Sequence, residues 1–123
     1  MRLLTASTDL SGLAPTGTRP GAPRCSGEQP PTINHTDEAA FAADVAAEIC
    51  GEDKIDRHVA PSLGGEDFSY MLQAVPGAMM WIGNGPGEGG CMLHNARYDF
   101  NDTALPVGVS FFARLAERFL EAQ

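Results

Sequence analysis

Residues 76–85 read Pro76-Gly77-Ala78-Met79-Met80-Trp81-Ile82-Gly83-Asn84-Gly85. The apolar run from Ala78 to Ile82 is bounded by Pro-Gly on one side and Gly on the other, and it has the length of a strand. A strand with no polar alternation is expected to be buried on both faces, with a neighbouring strand on each side. This run therefore sets the fold class, and the elements on either side of it are read against it.

On the N-terminal side, Glu66-Asp67 opens a helix, because acids near a helix start favour its dipole. Phe68, Met71, Leu72 and Val75 give that helix an apolar face, and Pro76-Gly77 ends it. Pro61-Ser62-Leu63-Gly64-Gly65 breaks the chain before it. Ile55 to Val59 is short and alternates apolar with polar, which predicts a strand. A further helix is expected at about 37–50, with Phe41, Val45 and Ile49 on one stripe. Asn34, Thr36 and Asp37 are all suitable N-caps, and Gly51 stands where a left-handed C-cap belongs.

On the C-terminal side, a glycine-rich loop runs from Gly83 to about Asn101. The last helix is expected to begin near Asp102, with Pro106 in its first turn. Leu105, Val109, Phe112, Ala116 and Phe119 form its apolar stripe. The order is helix, strand, helix, strand, helix, which gives an α/β class over residues 31–123. Two strands alone are too few for an independent sheet. Part of the domain is therefore expected to lie elsewhere.

Residues 1–30 differ from the rest. They are rich in Pro, Gly, Ser and Thr, lack periodicity, and are expected to be disordered. Pro30-Pro31-Thr32 then reads as an extended linker.

The bulk properties exclude several classes. The chain has 123 residues and a net charge of −8, which repels nucleic acid and anionic membranes. No apolar run approaches the length that spans a bilayer, and the start lacks a secretory signal pattern. Cys25, Cys50 and Cys91 are odd in number and widely spaced, which argues against a disulfide framework and points to a cytoplasmic protein.

Gly85, Gly87 and Gly90 have GxGxxG spacing, but no helix opens at the last glycine and no Lys-Ser or Lys-Thr follows. A strand-to-helix loop is the better reading. His94 lies in that loop, beyond a strand, where open α/β sheets place their ligands. A neutral imidazole there can bind a transition metal; a hydrogen-bonded loop histidine is the commoner alternative. Gly64-Gly65 ahead of a helix start leaves backbone N–H groups that can hold a carboxylate, or it is a plain tight turn. Glu66 and Asp67 read as a helix start rather than as catalytic acids. His35 and His58 fall on a cap and a strand with no nearby ligand set, and Cys91 reads as a small loop thiol.

Three stretches share a further likeness: Pro30-Pro31-Thr32-Ile33-Asn34, Gly64-Gly65-Glu66-Asp67-Phe68-Ser69-Tyr70-Met71, and Leu93-His94-Asn95 through Tyr98-Asp99-Phe100-Asn101-Asp102. In this order they resemble the C-terminal third of the zinc-peptidase-like amidohydrolases, the family that includes hippurate hydrolase, N-acyl-amino-acid deacetylases and indole-acetyl-amino-acid hydrolases. The likeness covers about residues 29–122. It implies a catalytic domain with an inserted lid that often also dimerises, and Pro30-Pro31-Thr32 resembles the return from that lid. It implies that His94 is a metal ligand and that Gly64 and Gly65 face the substrate carboxylate. The implied cofactor is a pair of divalent ions drawn from zinc, manganese, cobalt or nickel. The implied reaction is hydrolysis of the amide of a small N-acyl amino acid, with a glutamate moving the proton.

The other metal ligands, the general base and the lid of that family have no counterpart here, so no catalytic residue is assigned. One imidazole is a poor metal site, since ordinary sites take three or more protein ligands. The chain alone is expected to bind metal weakly and to lack amidase activity. Residues 1–28 do not resemble the family's lid strand, and a disrupted upstream stretch is the expectation for their origin. Two non-enzyme readings stand beside the hydrolase: an inert remnant, and a non-catalytic subunit that completes a separate N-terminal half.

Overall fold

The computed structural model describes residues 3–6, 30–62, 65–85 and 93–122. The elements run β1 (Leu3–Ala6), α1 (Thr36–Cys50), a 3-10 turn (Glu52–Lys54), β2 (Ile55–Val59), α2 (Phe68–Ala74), β3 (Met80–Ile82), a second 3-10 turn (Asp102–Ala104) and α3 (Leu105–Glu121). From residue 31 onward the expected alternation of helices and strands is present, and the α/β class holds.

α1 starts and stops where its sequence predicts. His35 is the residue preceding it and makes no side-chain cap bond, so none of the three expected cap residues takes that place. Gly51 closes the helix with positive φ, as expected, but at φ 87° and ψ 144° it is not left-handed helical. Its N–H donates to Ala47 O at 2.8 Å. The buried face of α1 consists mainly of Ala39, Ala42, Ala43, Val45 and Ala46, while Phe41 and Ile49 are only partly buried at the margin. Small side chains at these spacings let the helix lie close over β1 and β2 and against α3.

The sheet has the order β2-β1-β3. β1 runs parallel to β2, pairing Leu3 with Ile55 and Leu4 with Asp56, and shifts register before Ala6 meets Val59. It runs antiparallel to β3, pairing Leu3 with Ile82 and Thr5 with Met80. Two expectations are corrected here. Residues 3–6 belong to the segment expected to be disordered, yet they form the middle strand; residues 7–29 lie outside the described residues. β3, expected to be buried between two neighbours, is a three-residue edge strand with Ile82 exposed. The physical reason is common to both. Without β1, β2 and β3 would each present unpaired backbone, and an extended segment satisfies it from between them. Ala78 and Met79 lie outside the strand, and Met79 pairs with Asn34 instead.

The core is small. Ala42, Val45, Ala46 and Phe111 form its centre, and Phe41, Ile49, Ile55, Met80, Val107 and Leu115 pack around it. The phase of α3 is therefore not the expected one. Phe111 is its buried residue, whereas Val109 is 69% exposed and Phe112 67%, and Leu105, Ala116 and Phe119 are exposed too. α3 is apolar on two faces, and α1 covers only one of them. α2 shows the same correction: Leu72 and Ser69 are buried, Phe68 is half-buried, and Met71 and Val75 are exposed.

Ion pairs border the α1–α3 contact. Arg114 Nε donates to Glu48 Oε2 at 2.9 Å, Arg118 reaches the other oxygen of the same carboxylate, and the Arg118 guanidinium lies 5.8 Å from the centre of the Phe41 ring. Arg57 bridges Asp44 of α1 and Glu52, each at 2.8 Å.

Candidate functional site

Two turns carry the residues singled out above. The first follows β3. The chain leaves the strand through Gly83 and Asn84 and returns at Asn101, and these two asparagines hold the base of the loop together. Asn101 N–H donates to Asn84 Oδ1 at 2.8 Å, and Asn101 Nδ2 donates to Asn84 O at 3.0 Å. Asn84 Nδ2 also donates to Asp99 O at 2.8 Å. Gly85 has φ 79°, and a Cβ there would meet Asn101 Nδ2 at 3.4 Å. Gly87, Gly90 and Cys91 lie outside the described residues.

His94 sits in this loop with φ 69°, the one positive-φ residue other than glycine among the described residues. That backbone conformation costs a residue with a Cβ about 1–2 kcal/mol. Histidine is among the residues enriched there, and such strain gathers at functional positions. The following turn locks the backbone just past it: Asn95 Oδ1 accepts from Arg97 N–H at 2.9 Å, and Asn95 O accepts from Tyr98 N–H at 2.9 Å. His94 itself is exposed, and among the described residues nothing is hydrogen-bonded to its ring.

The second turn precedes α2. Gly65 is exposed, and Gly64 lies outside the described residues. Glu66 and Asp67 stand just ahead of the first helical residue and use their carbonyls: Glu66 O accepts from Ser69 N at 3.0 Å and Ser69 Oγ at 2.6 Å, and Asp67 O accepts from Tyr70 N at 3.1 Å. No hydrogen bond among the described residues joins Gly65 to His94. His35 adjoins α1 and its ring nitrogen contacts the Gly77 backbone, while His58 is exposed on β2, so both occupy the structural places expected of them.

Among the described residues, no group of three or more His, Cys, Asp or Glu is placed to hold a metal ion. The described donor set therefore does not fit a complete metal centre; in the loop after β3 it offers the single exposed imidazole of His94. A cleft of about 260 Å³ lies elsewhere, lined by Pro31, Ile33, Asn34, His35, Ser69, Leu72 and Gln73. It includes neither His94 nor Gly65.

The family model for peptidase family M20/M25/M40 matches residues 21–118. The chain belongs to that family. The hippurate hydrolase of Campylobacter jejuni is 33% identical over 92 residues, which are 75% of this chain and 23% of that protein. The IAA-amino acid hydrolase ILR1-like 4 of Arabidopsis thaliana is 33% identical over 95 residues, 74% of this chain and 21% of that protein. The N-acetyldiaminopimelate deacetylase of Streptococcus gordonii is 34% identical over 79 residues, 64% and 20% respectively. The chain thus spans less than a quarter of the length of these relatives. The likeness seen in the three motifs is a family relationship.

The asparagine pair at the base of the loop was not singled out by sequence reasoning. Its signal was weak, because Asn84 and Asn101 lie 17 residues apart and bond mostly side chain to backbone.

Proposed function

We propose that this chain supplies the C-terminal part of a metal-dependent amidohydrolase site for small N-acyl amino acids, of the hippurate hydrolase type. The observation that carries the reading is the exposed imidazole of His94, held at positive φ beyond β3, in a member of peptidase family M20/M25/M40. In this reading His94 contributes one nitrogen ligand to a divalent ion among zinc, manganese, cobalt or nickel. Gly64 and Gly65 offer backbone N–H groups to the substrate carboxylate. Neither residue transfers a proton, and no catalytic residue is assigned to the chain. The names of the relatives support the substrate class: hippurate, IAA-amino acids and N-acetyldiaminopimelate are all N-acyl amino acids. A cytoplasmic setting is part of the same reading. It draws on the odd number and wide spacing of the three cysteines; no helix among the described residues is long and apolar enough to cross a membrane.

Two measurements test it. The purified chain should not hydrolyse hippurate, because one imidazole is too few ligands for a working centre. A chimera of the Campylobacter jejuni hippurate hydrolase carrying residues 29–122 of this chain in place of its own matching segment should hydrolyse hippurate in a chelator-sensitive manner, and His94→Ala should remove that activity. Chelator-sensitive hydrolysis by the chain alone would overturn the assignment of a non-catalytic share, and a fully active His94→Ala chimera would overturn the role of His94.

A second reading has its own support. The exposed apolar face of α3 and the edge position of β3 suit a non-catalytic subunit that completes a separate N-terminal half. Co-expression with such a half should then yield a stable complex with amidase activity.

A further inference from the structure

We infer that Asn84 and Asn101 are positioning residues for His94, closing the base of the loop that carries it. The inference rests on the proposed role of His94, but its geometry stands apart from that role. The ring of His94 has no hydrogen-bond partner among the described residues, so among them it is the backbone that sets where the ring sits. That backbone is fixed in two places. The Asn95 turn fixes it immediately beyond the ring. The asparagine pair fixes both ends of the loop against the sheet and α3.

The chemistry of the pair is specific to two amides. Asn84 uses its Oδ1, its Nδ2 and its own carbonyl to hold Asn101 and Asp99. Asn101 uses Nδ2 toward Asn84, and its Oδ1 accepts from Thr103 N–H at 3.1 Å and Thr103 Oγ1 at 2.7 Å. One side chain therefore ties the loop base and caps the turn that starts α3. A carboxylate at 101 keeps the acceptor for Thr103 and loses the donor to Asn84. Those two jobs can be separated by mutation.

The test uses the whole 123-residue chain and reads the His94 amide by 15N relaxation and the Arg97–Tyr98 bond by trypsin. Asn84→Ala and Asn101→Asp should each lower the His94 order parameter from about 0.85 toward 0.6 or less. Each should also speed cleavage at Arg97 by about tenfold, because cleavage follows the population of the opened loop. Cleavage at Arg57 and Arg114 should keep its wild-type rate. Thr103→Ala removes the hydroxyl bond alone and should leave His94 unchanged. Unchanged His94 order in both asparagine variants would overturn the inference. So would equal acceleration at all three arginines, which reports global loosening. These readouts need neither metal nor substrate, so an active His94→Ala chimera would sink the proposed function and leave this result standing.

Discussion

Asn34 and Met79 exchange two hydrogen bonds across 45 residues: Asn34 Nδ2 donates to Met79 O at 3.0 Å, and Met79 N–H donates to Asn34 Oδ1 at 2.8 Å. The amide stands in for a strand partner where β3 has not yet begun. Asn34 is 3% exposed, and both Met79 backbone groups face it. Asn34→Leu would keep the branched outline of the side chain and leave both Met79 groups without this partner. The expected cost is about 1–3 kcal/mol for the unsatisfied polar atoms. Urea unfolding of the variant measures it, and an unchanged midpoint would show that the pairing is idle.

Gly51 is the next point of sensitivity. Its φ of 87° with ψ 144° falls near a region that residues with a Cβ scarcely enter. A Cβ at this position would also lie 2.7 Å from Asp53 Oδ1. Asp53 can swing away, so the backbone sets the penalty. Gly51→Ala is expected to cost about 1–3 kcal/mol. The double variant with Asp53→Ala should recover little of it. Full recovery in the double variant would place the cost in the side-chain clash instead.

Acid should weaken the fold through two glutamates. The hydrogen bond from Arg114 holds the Glu48 carboxyl below its ordinary value, partial burial opposes this, and the charges of Arg118 and Arg114 add to the lowering. The hydrogen bond from Arg57 does the same for Glu52, again against partial burial. Arg57 itself is pushed up by Glu52 and Asp44 and stays charged. A depressed carboxyl contributes stability that is fully present above its unfolded pKa, ~4.3 for glutamate, and is lost as pH falls through the lower folded value. The melting temperature should therefore be flat near neutrality and drop below about pH 4.3. Glu48→Gln should shallow that drop. Because these pairs are exposed, added salt should weaken the effect. An identical acid profile in Glu48→Gln would remove Glu48 from the account.

The parts of the fold legible in the sequence are those fixed by neighbours along the chain. α1 spans Thr36–Cys50 because an alanine-rich run meets a glycine, and β2 is the short stretch Ile55–Val59, apolar at both ends, that stops ahead of Pro61. The parts that were not legible depend on distant partners. Nothing local says that Leu3–Ala6 will pair with residues near 55 and 82, or that β3 will therefore be an edge. The phase of α3 was illegible for the same reason, since both of its faces are apolar. At the site, His94 could be picked from its motif and its place after a strand. Its positive φ and the asparagine pair beneath it are tertiary facts.

The two faces of α3 give the clearest mutational contrast. Phe111 is 4% exposed and packs on Val45 and Ala46, whereas Phe112 is 67% exposed and meets the neighbouring ring edge-on at 5.4 Å. Phe111→Ala opens a cavity in a small core and should cost about 3–5 kcal/mol, enough to unfold a marginal domain. Phe112→Ser should leave the far-UV circular dichroism and the melting temperature near wild type. Leu105, Val109, Phe112, Ala116 and Phe119 recur at spacings of four and three, which is a seam suited to another helix. Left uncovered, such a face drives association. Phe112→Ser combined with Val109→Ser should therefore reduce self-association in sedimentation velocity without loss of helix. If the Phe112 variant unfolds and the Phe111 variant does not, the helix sits in the phase opposite to the one described.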